Sequence, residues 1–241
     1  MSGDNFMLML GYDFQWLSER GDKLPVSAPI GHTIVVGGSG SGKSTSVLYW
    51  LYKLKKYNCE LYIADFKKSN EFSGITPHFA QFEDCYQLIK DYYEVFLSTP
   101  EGGGGTTKIL ILDEVAGLLV HLSLTKEGKA KADEIRAIMS SILMLGRSRK
   151  CFLWLSMQRY TASIFPASSG AADNAHVIVA LGRLTVDGRK GLLAGEHFEG
   201  EEKLQYGQGR GLVLIDGQSL KALIIPKVSK KKLLELLQGK G

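Results

Sequence analysis

The segment Gly37-Gly-Ser-Gly-Ser-Gly-Lys-Ser44 constrains this chain more than any other stretch of it. It fits the pattern G-x-x-x-x-G-K-[ST] and stands where the mechanism of that pattern needs it. The β-branched run Thr33-Ile34-Val35-Val36 precedes it, and a helical stripe of Val47, Leu48, Leu51 and Leu54 follows. Its glycines let the backbone curl until successive N–H groups point inward at an anion. A helix starting near Lys43 adds the partial positive charge of its first turn. Residues Gly37, Gly38, Ser39, Gly40, Ser41, Gly42, Lys43, Ser44 and Thr45 are therefore expected to cradle a nucleotide triphosphate. Lys43 reaches the β- and γ-phosphates and Ser44 offers its hydroxyl to Mg2+. A chance glycine-rich turn is the competing reading, and the flanking strand and helix argue against it.

A second feature, an acidic one, follows the unbroken apolar run Ile109-Leu-Ile-Leu112, which has the character of a strand buried on both faces. It ends in Asp113-Glu114, and a carboxylate at the carboxyl edge of a parallel sheet faces the ligand crevice. Asp113 is expected to hold Mg2+ through water, and Glu114 to act as general base on the attacking water. An acidic strand exit is ordinary by itself; the phosphate loop upstream gives it meaning. A glutamate of its own separates the chain from switch GTPases, which position water with a glutamine elsewhere, and no guanine-reading N-K-x-D segment is present. ATP is the expected nucleotide. Gln158, after the next strand, falls at the same sheet edge and is positioned to sense the γ-phosphate; alone it would read as a surface amide.

The rest of the chain supports one α/β domain. Its 241 residues suffice for one large core, with 44% hydrophobic and 22% charged residues. Residues 1–32 read as an extension of short strands and turns, 33–226 as the main domain, and 227–241 as a basic tail helix. Strands are predicted at Glu60–Asp65, Cys151–Ser156 and Val177–Leu181, and a helix over Cys85–Leu97. Thr125–Asp133 reads as a polar stretch before a helix ending near Leu145. A closing hairpin pairs Gly211–Ile215 with Leu220–Ile225 through Asp216-Gly217. Alternating strands and helices imply a mostly parallel sheet covered on both faces. Cys59, Cys85 and Cys151 show no metal-ligand spacing and suit a reducing, cytoplasmic setting. No stretch is apolar and long enough to insert in a membrane. The formal charge of +4 permits a nucleic-acid partner without requiring one.

Several further stretches, in order, resemble the FtsK/HerA family of DNA-translocating ATPases, and specifically its FtsK/SpoIIIE-type motor. Ile63-Ala-Asp-Phe-Lys67, continuing to Gly74-Ile-Thr-Pro-His78, is similar to that family's I-D-P-K and G-I-P-H segments. Leu145-Gly-Arg-Ser-Arg149 and Leu155-Ser-Met-Gln-Arg159 are similar to its G-R-A-x-G and A-T-Q-R-P motifs. Arg183–Leu193 and Gly207–Asp216 resemble the closing part of the motor. Phe66 and Tyr160 stand where the family usually has proline, and neither change removes a catalytic group. The likeness runs from about residue 30 to 225.

The resemblance implies a P-loop NTPase of the RecA-like ASCE type, with helices flanking the sheet and a C-terminal β-hairpin. It implies a homo-oligomer, a hexameric ring, that hydrolyses ATP between subunits and moves double-stranded DNA through its pore. Arg147 matches the position of an arginine finger for the neighbouring site, with Arg149 second; read without the resemblance, Arg147 is a basic residue at a helix end. Lys67, Lys68, Arg183, Arg189 and Lys190 are candidate DNA contacts, with solvated surface charge the alternative for each. Lys227, Lys230, Lys231 and Lys232 suit DNA, an acidic partner or solvent. The 241 residues carry no counterpart of the membrane-spanning or winged-helix parts of chromosome-segregating members. A mobile-element setting is therefore expected, with a relaxase, capsid or secretion-channel protein as partner. The alternative is a nucleotide-switched assembly ATPase with little translocation of its own.

Overall fold

The computed structural model describes residues 6–102, 105–167, 169–193, 196–201 and 204–239. The apolar runs became strands, and the most apolar of them lie at the centre of the sheet. β1 (Met7–Asp13), α1 (Phe14–Arg20) and β2 (Pro25–Pro29) come first. The phosphate-loop strand β3 (Thr33–Gly37) and helix α2 (Lys43–Leu54) follow, then β4 (Cys59–Asp65), β5 (His78–Gln81) and α3 (Cys85–Ser98). Next are β6 (Thr107–Asp113), α4 (Val115–Leu122), α5 (Lys126–Arg149) and β7 (Cys151–Met157). The chain closes with β8 (Val177–Leu181), α6 (Val186–Leu193), the hairpin β9 (Arg210–Ile215) and β10 (Lys221–Ile224), and α7 (Lys230–Leu237).

All ten strands form one sheet in the order β2-β1-β10-β9-β8-β3-β7-β6-β4-β5. From β8 through β5 every pairing is parallel, and from β9 to β2 every pairing is antiparallel. The sheet is mixed α/β with a parallel block, as expected. β3, β7 and β8 are buried along their whole length, which is the pattern of strands covered on both faces. β7 lies between β3 and β6, so the strand leading to Gln158 separates the phosphate loop from Asp113. That insertion brings three loops to one edge of the sheet.

Helices cover the two faces separately. α3, α4 and α5 pack one apolar layer around Leu110, Leu112, Ile142 and Leu153. α2, α7 and the opening strands pack the other, around Trp50, Trp154 and Leu10. Trp50 is fully buried, its ring edge-on to Trp154 at 6.3 Å, and its indole N–H donates to the Leu10 carbonyl at 2.8 Å. The hydrogen bond lets an otherwise polar indole lie in the core.

Three segments differ from the sequence expectation. The opening segment contains a helix, because Asp13 accepts from the Trp16 amide at 2.9 Å and Gly21 closes the helix in the left-handed region. At seven residues, that helix is too short for periodicity to reveal. The polar stretch Thr125–Asp133 is the start of α5, not a separator: the Thr125 hydroxyl accepts from the Gly128 amide at 3.0 Å and caps the helix. The basic tail is docked. Leu233 and Leu237 are buried against α2, and Gln238 donates to the Ser73 carbonyl at 2.6 Å. Among the described residues no helix is long and apolar enough to cross a membrane, and the three cysteines are free thiols.

Candidate nucleotide site

The phosphate loop leaves β3 at its carboxyl end and enters α2 through Gly42, whose φ of 97° favours glycine. Lys43, the first helical residue, is buried, and its ammonium donates back to the carbonyls of Gly37 and, at 3.3 Å, Gly38. Burial lowers its pKa, helped by the charge of Lys67 and opposed by Glu114 and Asp113. Ser44 and Thr45 follow in the first turn. The loop is pinned by the segment leading into β9, where the Gly209 amide donates to the Ser41 carbonyl at 2.8 Å.

β6 and β7 deliver the acidic groups. Their register sets Asp113 beside Asp65 of β4 on one side and Ser156 of β7 on the other. Asp113 is 2% exposed, and neither of its carboxylate oxygens has a hydrogen-bond partner among the described residues. Burial raises its pKa, and the nearby Ser156 hydroxyl and Lys67 charge offset only part of that. Two unsatisfied buried oxygens are costly unless a ligand completes them. A hydrated divalent cation shared with the Ser44 hydroxyl suits this donor set, since Mg2+ takes oxygen ligands and retains water.

Glu114 begins α4 in the left-handed region, at φ 58° and ψ 44°, a conformation that costs a non-glycine residue about 1 kcal/mol. The turn bends its side chain back over the sheet edge. There one carboxylate oxygen lies 2.7 Å from the Lys67 ammonium, and the other accepts from the backbone N–H of Gln158 at 3.3 Å. Lys67 projects from the turn after β4. Asp65 fixes that turn, accepting from the Ser69 amide at 3.0 Å, the Ser69 hydroxyl at 3.1 Å and the Gln81 amide at 3.1 Å. Burial pulls the Lys67 pKa down, but Glu114 and Asp113 outweigh it and leave it raised.

The expected residues thus separate into groups. Lys43, Ser44, Asp113, Glu114 and Gln158 meet at one sheet edge. Lys67, expected at a DNA surface, stands in this cleft against Glu114. Arg183 lies at the rim of the phosphate loop, with its guanidinium over the Tyr206 ring. Arg189 is committed internally, at 2.7 Å from Glu201 and donating to the Glu196 carbonyl. Lys68 and Lys190 are exposed. Arg147 is at the opposite edge, beyond the start of β7, in a hollow it shares with Lys150, His176 and Asp216. The seven residues of β7 at ~3.3 Å each set it about 20 Å from its own chain's Gln158. Gly146 lets the last turn of α5 approach the sheet, since a Cβ there would lie 2.1 Å from the Cys151 carbonyl oxygen. Arg149 is tied within its own chain, 3.2 Å from Glu101, whereas the Arg147 side chain makes no hydrogen bond or ion pair among the described residues.

Sequence reasoning missed Glu71 and read Lys230 only as part of a basic tail cluster; both line the phosphate-loop cleft with Lys43, Ser44 and Lys67. They pair with each other. No periodic signal marks either: Glu71 comes from the segment after β4, and the return of the chain end to the phosphate loop brings Lys230 to it.

No family model matches the sequence, and no curated protein sequence matches it. Solved structures do share the fold. The cytoplasmic domain of the Type VII secretion ATPase EccC from Thermomonospora curvata superposes with a TM-score of 0.68 at 15% identity, over 99% of this chain and 32% of that one. The pCW3 conjugation coupling protein TcpA, solved as a monomer with ATPγS, gives 0.68 at 19%, over 98% and 71%. EssC (ATPases 2 and 3) from Geobacillus thermodenitrificans gives 0.69 at 14%, over 100% and 49%. The chain spans about a third of the EccC structure and half of the EssC structure. The chain has the fold of these ATPases, the architecture that the resemblance to FtsK/HerA-type motors implied.

Proposed function

We propose that this chain is an ATP-hydrolysing motor that translocates DNA as a homo-oligomeric ring. The observation that carries the reading is the convergence of the phosphate loop, the unpartnered Asp113 carboxylate, Glu114 and Gln158 at one sheet edge. In this reading the backbone of residues 37–45 and the Lys43 ammonium hold the triphosphate. Ser44 and Asp113 hold Mg2+, which neutralises phosphate charge when bound. Glu114 takes the proton of the attacking water, and Gln158 orients that water or senses the γ-phosphate. Lys67 holds Glu114 in place.

Arg147 lies too far from its own site to serve it and has no hydrogen-bond or ion-pair partner among the described residues, which supports a role across a subunit boundary. A hexameric ring, as the resemblance implies, would set it against the next subunit's triphosphate. Lys68, Arg183 and Lys190 are the charges available for a DNA backbone; Lys67 and Arg189 are engaged elsewhere. The setting that fits is the cytoplasmic face of a conjugation or packaging apparatus, with a relaxase, capsid or channel protein as partner.

A second reading concerns cargo. Proteins of this fold include a conjugation coupling protein and a secretion ATPase, so the same motor could act on polypeptide. ATP turnover measured alone, with linear duplex DNA and with an unfolded polypeptide separates the two. A DNA-translocating motor is stimulated by duplex DNA, with stimulation falling steeply as salt rises. Turnover indifferent to duplex DNA at every salt concentration would overturn the DNA reading.

A further inference from the structure

The C-terminal helix ends its approach to the sheet at the phosphate loop. The linker after β10 returns across the loop: the Ile225 amide donates to the Gly209 carbonyl at 2.7 Å, and Gly209 is itself bonded to Ser41. Residues Ile225–Ser229 then line a hollow with Gly42, Thr45 and Ser46. Ser229 caps α7 by accepting from the Lys232 amide at 3.4 Å. This delivers Lys230, the first residue of the helix, into the phosphate-loop cleft beside Lys43, Ser44 and Lys67.

Within that cleft Lys230 pairs with Glu71, which lines it together with Ser44. Glu71 thus holds the Lys230 ammonium in the cleft lined by Lys43 and Ser44, the first two residues of the triphosphate-binding helix. Burial pushes the Glu71 pKa up, but Lys230 and Ser44 more than compensate and leave it lowered. Three ammonium groups face a cleft of about 240 Å³. Only Lys43 belongs to the phosphate-loop motif. The neighbouring Lys231 points away, with its side chain 87% exposed.

We infer that Lys230 is a further triphosphate ligand, supplied by α7, so that nucleotide binding and docking of the C-terminal helix stabilise one another. This rests on the nucleotide reading of the site. Lys230 exchanges its contact with Glu71 for a phosphate oxygen, a charge-assisted hydrogen bond of the stronger kind. Because linkage is reciprocal, the factor by which docked α7 tightens nucleotide binding is the factor by which nucleotide tightens docking. Among the described residues the helix is held by Leu233 and Leu237 in the core, the Lys55 bond to the Leu236 carbonyl, Gln238 on Ser73 and the Lys230–Glu71 pair at its first residue. Its position can therefore respond to a change at its first residue.

The test measures Mg·ATPγS affinity and amide hydrogen exchange of residues 230–239 on the full chain. Lys230→Ala is expected to weaken binding roughly tenfold, the scale of one charge-assisted contact, and Lys230→Arg to recover most of it. Lys231→Ala is expected to bind as the parent does. Nucleotide should slow exchange in α7 in the parent and not in Lys230→Ala. The double variant Glu71→Ala/Lys230→Ala decides whether Lys230 merely neutralises Glu71: full recovery of affinity in it overturns the inference. Parental affinity in Lys230→Ala, with binding abolished in Lys43→Ala, overturns the inference alone. A parent chain that does not bind Mg·ATPγS overturns the nucleotide reading with it.

Discussion

Asp113 is a buried carboxyl whose two oxygens have no hydrogen-bond partner among the described residues, and burial raises its folded-state pKa above the ordinary 3.8. A carboxyl whose pKa rises on folding is stabilising while protonated, and that contribution is lost as pH climbs from about its ordinary value through the raised one. Asp113→Asn removes the buried charge while keeping the shape. In the absence of nucleotide it is expected to melt roughly 2–4 °C higher than the parent at neutral pH, the equivalent of about 1 kcal/mol in a domain of this size. It is also expected to lose the extra Mg2+-dependent stabilisation by ATPγS; an unchanged or lower melting temperature without nucleotide would count against the strained-carboxylate account. Much at this scale was legible in advance. The loop from Gly37 to Thr45 and the pair Asp113-Glu114 were identified from spacing and flanking elements, because their chemistry is written in consecutive residues. Lys67 and Lys230 were not assigned to this cleft: Lys67 read as a candidate DNA contact or solvated charge, and Lys230 as part of a basic tail suited to DNA, an acidic partner or solvent. Only the Asp65-bonded turn and the returning C-terminal linker turn them inward.

At the scale of elements, β3, β6 and β7 followed from apolar runs, and the closing hairpin from Asp216-Gly217 between two such runs. The boundaries of α5 did not, because its first two turns are polar. Thr125 supplies the start that the polar face conceals, so Thr125→Ala is expected to cost about 1 kcal/mol of stability, measured by urea unfolding. α2 illustrates a different dependence. Its Trp50 fills the layer beneath the opening strands and satisfies the Leu10 carbonyl. Trp50→Ala is expected to cost about 3–5 kcal/mol and to weaken nucleotide binding only through the position of the helix. A loss below about 1 kcal/mol would show that β1 and β2 are held without it. The left-handed conformation of Glu114 was not foreseeable from composition, since nothing in Asp113-Glu114-Val115 requires it. It is imposed by the turn from β6 into α4 and aims the carboxylate at the cleft.

At the scale of the molecule, the antiparallel half of the sheet joins the chain's two ends. β1 pairs with β10, and the linker beyond β10 crosses the phosphate loop to dock α7. The opening and closing segments therefore share the architecture of the site. The opposite placement of Arg147 and Glu114 gives an expectation about assembly. Arg147→Ala and Glu114→Gln subunits, each inactive alone, are expected to recover part of the ATPase activity when mixed, because some boundaries then pair an intact arginine with an intact glutamate. Absence of recovery at every ratio would remove the support for shared sites. The most direct measurement concerns Glu114 itself: Mg·ATP binding and single-turnover hydrolysis by the parent and by Glu114→Gln in parallel. The expected result is nucleotide bound by both, with hydrolysis in the variant slower by roughly a hundredfold or more. Hydrolysis by Glu114→Gln at the parental rate would contradict the assignment of the converged sheet edge as the catalytic centre.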